Sequence, residues 1–96
     1  VPVPEQLTLY QNYPNPFNPN TTISFYLPKA MPCKVEIFNI RGQKVKTLLS
    51  GTMLSGKHSL VWNGKDESGR EASSGVYFSR LITPQSTKLG KMLMVK

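Results

Sequence analysis

The chain of 96 residues has one cysteine, one histidine and five acidic residues. Each scarcity removes a class of chemistry. A lone Cys33 excludes an internal disulfide and any cysteine-based zinc site. His58, the sole histidine, leaves little material for acid–base or metal work. Three of the five acids, Asp66, Glu67 and Glu71, crowd one turn-rich stretch. Glycosidase chemistry needs two carboxylates flanking a cleft, and one loop does not build that. No apolar run approaches the ~18 residues of a membrane span. No Lys/Arg-led apolar stretch opens the chain, so any export signal is expected on a longer precursor. Helical periodicity is missing throughout.

Positive charge is what the chain has in excess. Twelve Lys and Arg against five Asp and Glu give +7. The first 32 residues carry only Glu5 and Lys29, so the whole excess lies in residues 33–96. The cations stand singly, without a cluster and without a basic–aromatic motif. A solvated basic surface is the plainer reading, and no nucleic-acid partner is expected.

Proline and glycine divide the chain. Seven of the eight prolines fall in the first 32 residues, and all seven glycines fall between Gly42 and Gly90. Residues 1–6, with alternating Val and Pro, read as an extended linker tail. Residues 7–96 read as one domain, since about fifty residues each would be marginal for two. After a short strand near Leu7–Tyr10 comes Tyr13-Pro14-Asn15-Pro16-Phe17-Asn18-Pro19. Three prolines lack donors and hold their predecessors extended, so this run is neither a helix nor a central strand. A stiff ordered loop is expected, with Asx-turns and with Tyr13 and Phe17 pinned on the body of the domain.

Strand then follows strand. Thr22–Leu27 alternates, with Ile23, Phe25 and Leu27 on one face, and a turn is expected over Pro28–Pro32. Cys33–Asn39 puts Cys33, Val35 and Ile37 together. Asn39-Ile40-Arg41-Gly42 fits a type I turn with Gly42 left-handed, as in a bulged hairpin. Gln43–Leu49 returns, and Gly51–Gly56 reads as a loop. Lys57–Trp62 aligns His58, Leu60 and Trp62. A polar loop over Asn63–Arg70 leads to a strand over Gly75–Thr83. Pro84-Gln85-Ser86 turns the chain into Lys88–Val95. About seven short strands with regular turn signals predict an all-β, Ig-like antiparallel sandwich of Greek-key type without significant helix. Prolines near the start, and Lys88, Lys91 and Lys96 near the end, guard the edges.

Sites for chemistry are few. His58 neighbours Ser59 but faces away from it, and no Gly-x-Ser-x-Gly elbow occurs, so catalysis is not expected. Nothing local lowers the Cys33 thiol pKa. Asn63, Asp66, Glu67 and Ser68 offer oxygens, but calcium-loop spacing is not met, and Asp66 reads as a turn cap. No metal or other cofactor is expected. Asn20-Thr21-Thr22 fits the short N-glycosylation pattern. Tyr10, Tyr13, Phe17, Tyr26 and Trp62 suggest a sugar platform, but Trp62 shares its face with Leu60 and reads as core.

Four stretches carry a family resemblance. They are Leu9–Pro28, with its Tyr13–Pro19 run; Val35–Val45; Trp62–Gly69, with Asp66; and Ser74–Phe78 together with Lys91–Lys96. In this order and spacing they resemble the C-terminal sorting domain of the type IX secretion system, and the related Ig-like domain of the flagellar hook-capping protein. The resemblance implies a tag borne by secreted proteins of Bacteroidota-like bacteria. Such a tag follows an N-terminal cargo domain at the extreme C-terminus of its precursor. It passes through the periplasm and reaches the cell surface or the medium. Its implied partners are the outer-membrane translocon, a β-barrel shuttle protein and a sortase-like surface peptidase that cuts before the sandwich, here around Val1–Leu7. Recognition would rest on Gly75, Val76, Tyr77 and Phe78 and on Lys91, Met92, Leu93, Met94, Val95 and Lys96. The terminal strand would offer an edge for docking, and the domain itself is expected to be a monomer. The alternative is an accessory module that binds polysaccharide or another protein for an attached enzyme.

Overall fold

Alternation of apolar and polar residues decides where the strands lie and which face of each turns inward. The computed structural model describes residues 6–96, and the expected linker tail falls outside the described residues except for Gln6. Seven strands form: β1 Thr8–Leu9, β2 Thr21–Leu27, β3 Met31–Asn39, β4 Lys44–Met53, β5 Gly56–Trp62, β6 Gly75–Ile82 and β7 Thr87–Met94. No helix occurs among the described residues. A three-stranded sheet runs β1-β2-β5 and a four-stranded sheet runs β4-β3-β6-β7. Every pairing between these strands is antiparallel. The chain changes sheet after β2, β4 and β5, giving the Ig-like, Greek-key sandwich that the strand spacing predicts.

The inward faces follow the period of two. Ile23, Phe25 and Leu27 from β2 meet Met31, Cys33, Val35 and Ile37 from β3. Trp62, Leu81, Met92 and Met94 complete the core with Phe17 and Tyr77. Each large apolar side chain buried this way contributes about 1.5–3 kcal/mol. Trp62 is fully buried and donates its indole N–H to the Lys65 carbonyl at 3.0 Å, so its one polar atom is satisfied.

Local turn chemistry matches the residues. Gly42 has φ +82°, and its N–H donates to the Asn39 carbonyl at 2.9 Å. The Asn39 side-chain oxygen accepts from the N–H groups of Arg41 and Gln43, each at 3.0 Å. Asp66 Oδ1 accepts from Ser68 N–H at 2.9 Å and Arg70 N–H at 3.0 Å, the capping role read from the sequence.

Two boundaries differ from expectation by more than one residue. The turn over Pro28–Pro32 ends early, because Met31 is buried and β3 begins there. Pro32 is tolerated inside the strand because β3 pairs with β6 only from Lys34 onward, so the ladder on that side has already ended. The loop over Gly51–Gly56 shrinks to Leu54 and Ser55. Gly51, Thr52 and Met53 stay in β4, opposite Cys33, Pro32 and Met31. Register shifts between Val35 and Glu36, and between Ile37 and Phe38, absorb the extra residues of β4.

Candidate recognition surface

The start of β6 and the end of β7 lie side by side. Gly75 pairs with Met94, Val76 with Leu93, Tyr77 with Met92 and Phe78 with Lys91. The fold therefore joins the two stretches that the resemblance singles out. Their side chains divide by parity. Tyr77, Met92 and Met94 point into the core, while Lys91, Leu93, Val95 and Lys96 are exposed. Lys96 N–H donates to the Ser74 hydroxyl at 3.0 Å, tying the closing run to the residue before β6.

The Asn-Pro loop covers the outer edge of this unit. Phe17 forms a parallel bridge to Met94. Its N–H donates to the Leu93 carbonyl, and its carbonyl accepts from Val95 N–H, both at 3.0 Å. Leu93 N–H donates to Asn15 Oδ1 at 2.9 Å, and the Gln11 amide donates to the Lys91 carbonyl at 3.2 Å. This corrects the expectation of an open docking edge along Lys91–Lys96. The backbone groups at Leu93 and Val95 are already spent on Asn15 and Phe17. Side chains, not an unpaired ladder, are what this end presents to a partner.

A buried polar knot shapes the loop. Asn12 is 5% exposed and donates to the Thr21 hydroxyl at 2.9 Å. Thr21 in turn donates to the Pro14 carbonyl at 2.9 Å. The peptide bonds preceding Pro14, Pro16 and Pro19 are cis. Phe17 is 2% exposed and packs on Trp62 at 5.7 Å between centroids, with Trp62 on Tyr77 at 5.1 Å. Tyr13 is the exception: it is 80% exposed, not pinned. Its backbone bonds Thr22 in both directions, so the main chain holds it and the ring is left in solvent. Pro14, Asn15, Pro16, Asn18 and Pro19 are likewise exposed, although Asn15 is tied to Leu93. Gly64, in the facing loop, has φ +77°. A Cβ there would sit 3.0 Å from the Pro19 carbonyl oxygen and 3.2 Å from Met94 Cε. Only glycine allows the two loops to approach so closely.

A cleft of about 780 Å³ opens beside β6, between the β3–β4 hairpin and the loop after Trp62. Arg41 and Lys44 stand on one wall, Asp66 and Glu67 on another, and Gly75–Tyr77 line the floor. Glu67 braces the cleft. Its carboxylate lies 3.7 Å from Lys46 Nζ and accepts from Thr47 N–H at 3.3 Å. Gly69, at φ +83°, closes the Asp66 turn, with its N–H on the Asp66 carbonyl at 3.0 Å.

The remaining candidates are dispersed. Among the described residues, no group of three or more His, Cys, Asp or Glu is gathered. His58 stacks on Phe25 at 5.3 Å, and its Nε2 meets the Leu54 carbonyl at 2.7 Å, while Ser59 faces Ser24 at 3.0 Å on the other side. Cys33 is buried, and burial pushes its thiol pKa up, away from thiolate chemistry. Phe17 and Trp62 are inside, so the five aromatics do not form a sugar platform. The role of Asn12 and Asn15 was the part that strand periodicity missed. Asn12 closes the loop on Pro14 and Thr21, while the partner of Asn15 lies across the fold, and only the density of Asn in the run hinted at them.

Similarities to known proteins follow from this architecture. The fold is shared by dimeric latent PorU from Porphyromonas gingivalis, with TM-score 0.75 and 19% identity, covering 97% of this chain and 10% of that one. It is shared by PorZ, described as an essential surface component of the type IX secretion system of P. gingivalis. There the TM-score is 0.63 and the identity 24%, covering 92% of this chain and 11% of that one. FlgD from P. aeruginosa gives TM-score 0.58 and 26% identity, covering 77% of this chain and 59% of that one. The chain thus spans about a tenth of PorU and PorZ. No curated protein sequence matches it. Residues 15–81 match the FlgD Ig-like domain family, and the chain belongs to that family.

Proposed function

We propose that this domain is a sorting tag that directs an attached N-terminal cargo across the outer membrane by the type IX route. On this reading it has no catalysis of its own. It passes through the periplasm to the cell surface or the medium. Its partners are the outer-membrane translocon, the shuttle barrel and the surface peptidase that removes it. One joint feature supports this. The Asn-Pro run and the closing run, quoted separately for the family resemblance, form a single contact unit, with Phe17 bonded between Leu93 and Val95. The similarity of fold to PorU and PorZ agrees with it.

The test is a periplasmic reporter fused to residues 1–96 in a host with type IX secretion. Surface export of the reporter is expected. Lys91→Glu combined with Lys96→Glu alters exposed charge and keeps the apolar set, so the domain stays folded. Reduced export is expected from that pair. Wild-type export by the folded pair removes basic recognition at this end. Failure of the intact domain, in a host that exports an established tag, removes the sorting role.

A further inference from the structure

The two outer faces of the sandwich differ in chemistry. On the three-stranded sheet, Ser24 meets Ser59 at 3.0 Å, and Lys57 lies over the Tyr10 ring at 5.1 Å. Val61, 61% exposed, adds one aliphatic side chain there, whereas the four-stranded sheet brings several large apolar side chains to the surface. Leu89 is 60% exposed, Val95 49% and Leu93 38%, and Ile40 follows β3 at 71%. Phe38 and Phe78 are cross-strand partners on this face and half-buried. They form the base of a shallow pocket of about 130 Å³, walled by Ile40, Leu89 and Arg80. Apolar cavities of about 150 Å³ admit a benzene ring, so this one is sized for a single aliphatic or aromatic side chain.

The rim is cationic. The Arg80 guanidinium lies 4.2 Å from the Phe38 ring centroid. Lys91 pairs with Phe78, Lys34 with Ile82 and Lys44 with Phe38, all on this side of the sheet. One carboxylate, Glu36, answers these four cations, and it is already 3.7 Å from Lys44 Nζ. Contiguous apolar surface with a polar rim marks an interaction site. A second copy does not fit it, because a two-fold contact would set like charges against each other.

We propose that this face docks an acidic polypeptide segment that seats one aliphatic or aromatic side chain between Phe38, Phe78 and Leu89. The acids of the segment meet Arg80, Lys91 and Lys34, and its anchor fills the pocket. Charge complementarity selects the class of partner, and the pocket selects a side chain over a bare polyanion.

The experiment is an NMR titration of the purified 96-residue chain with the capped peptide Glu-Asp-Glu-Phe-Glu-Asp-Glu. The same peptide with Ser for Phe and dextran sulfate serve as controls. Amide shifts are expected around Phe38, Ile40, Phe78, Arg80 and Leu89, and not on the Ser24–Ser59 face. Leu89→Ser and, separately, Arg80→Gln should each weaken binding by about tenfold or more. The Ser peptide should weaken it equally, a result that needs no variant of the protein to fold. No shift with the Phe peptide overturns the proposal. Equal binding of the Ser peptide or of dextran sulfate also overturns it, leaving a polyanion site. Sedimentation that shows self-association lost in Leu89→Ser would assign the face to a second copy instead. The purified protein is used throughout, so failure here is distinct from failure of the export assay.

Discussion

The two halves of β7 are held in opposite ways. From Lys91 to Val95 the outer edge is clamped by Gln11, Asn15 and Phe17, and Met92 and Met94 are sealed in the core. From Thr87 to Gly90, no described residue pairs with the outer edge, and Thr87, Lys88 and Leu89 are exposed. Within one strand, a sheet edge is thus protected by covering at one end and by charge at the other. Covering contributes stability and makes the order of that half depend on a distant loop. Charge only deters a wrong partner.

Phe17→Ala is the hardest blow to that contrast. It empties a site beside Trp62 and should cost about 3–5 kcal/mol in urea unfolding. That is a large share of a typical 5–15 kcal/mol domain stability. A loss under about 1 kcal/mol, below the usual range for a buried aromatic, would make the two halves equivalent. Gly64→Ala comes next. Its left-handed φ and its 3.0 Å approach to the Pro19 carbonyl predict a loss of about 1–3 kcal/mol. Asn15→Ala removes one acceptor from Leu93 N–H and should cost about 0.5–1.5 kcal/mol. Its signature is strongest locally: amide exchange at Leu93 quickens by more than iodoacetamide labelling of Cys33, which rises only with the global loss. Cys33 is buried on β3, two strands away, and reports global opening. Its raised thiol pKa also gives a direction with pH. Above about pH 8.5 the unfolded chain loses this proton first. Stability therefore falls as pH rises through the folded-state value. The smallest effect belongs to the open half. Lys88→Ser should change stability by less than about 0.5 kcal/mol, yet increase edge-to-edge association in light scattering.

What periodicity could read, and what it could not, follows the same division. The inward sets on β2 and β3, the burial of Trp62, the Gly42 turn and the Asp66 cap are written within a few residues of themselves, so the sequence displays them. Met31 and Pro32 hid inside an apparent turn because proline signals a break, whereas burial of Met31 and the end of the β6 ladder permit a strand. Tyr13 looked like an anchor because aromatics usually are, but its backbone does the holding. The Asn15 and Phe17 contacts with β7 leave no local pattern at all. The resemblance named both ends of that contact without joining them.

The bond from Asn15 to Leu93 spans 78 positions, and this has a bearing on when the molecule becomes whole. Closing a loop of that length is entropically slow to reward, and contacts of such separation lengthen folding times. During synthesis the Asn-Pro loop is made well before its partner strand. Until residues 91–95 emerge, Phe17 has no strand to bond, Met94 is missing from the core, and β6 lacks the end of its partner. A domain lacking residues 91–96 loses the clasp along with two core methionines, Met92 and Met94. The fold of the domain therefore closes only when its seventh strand is in place.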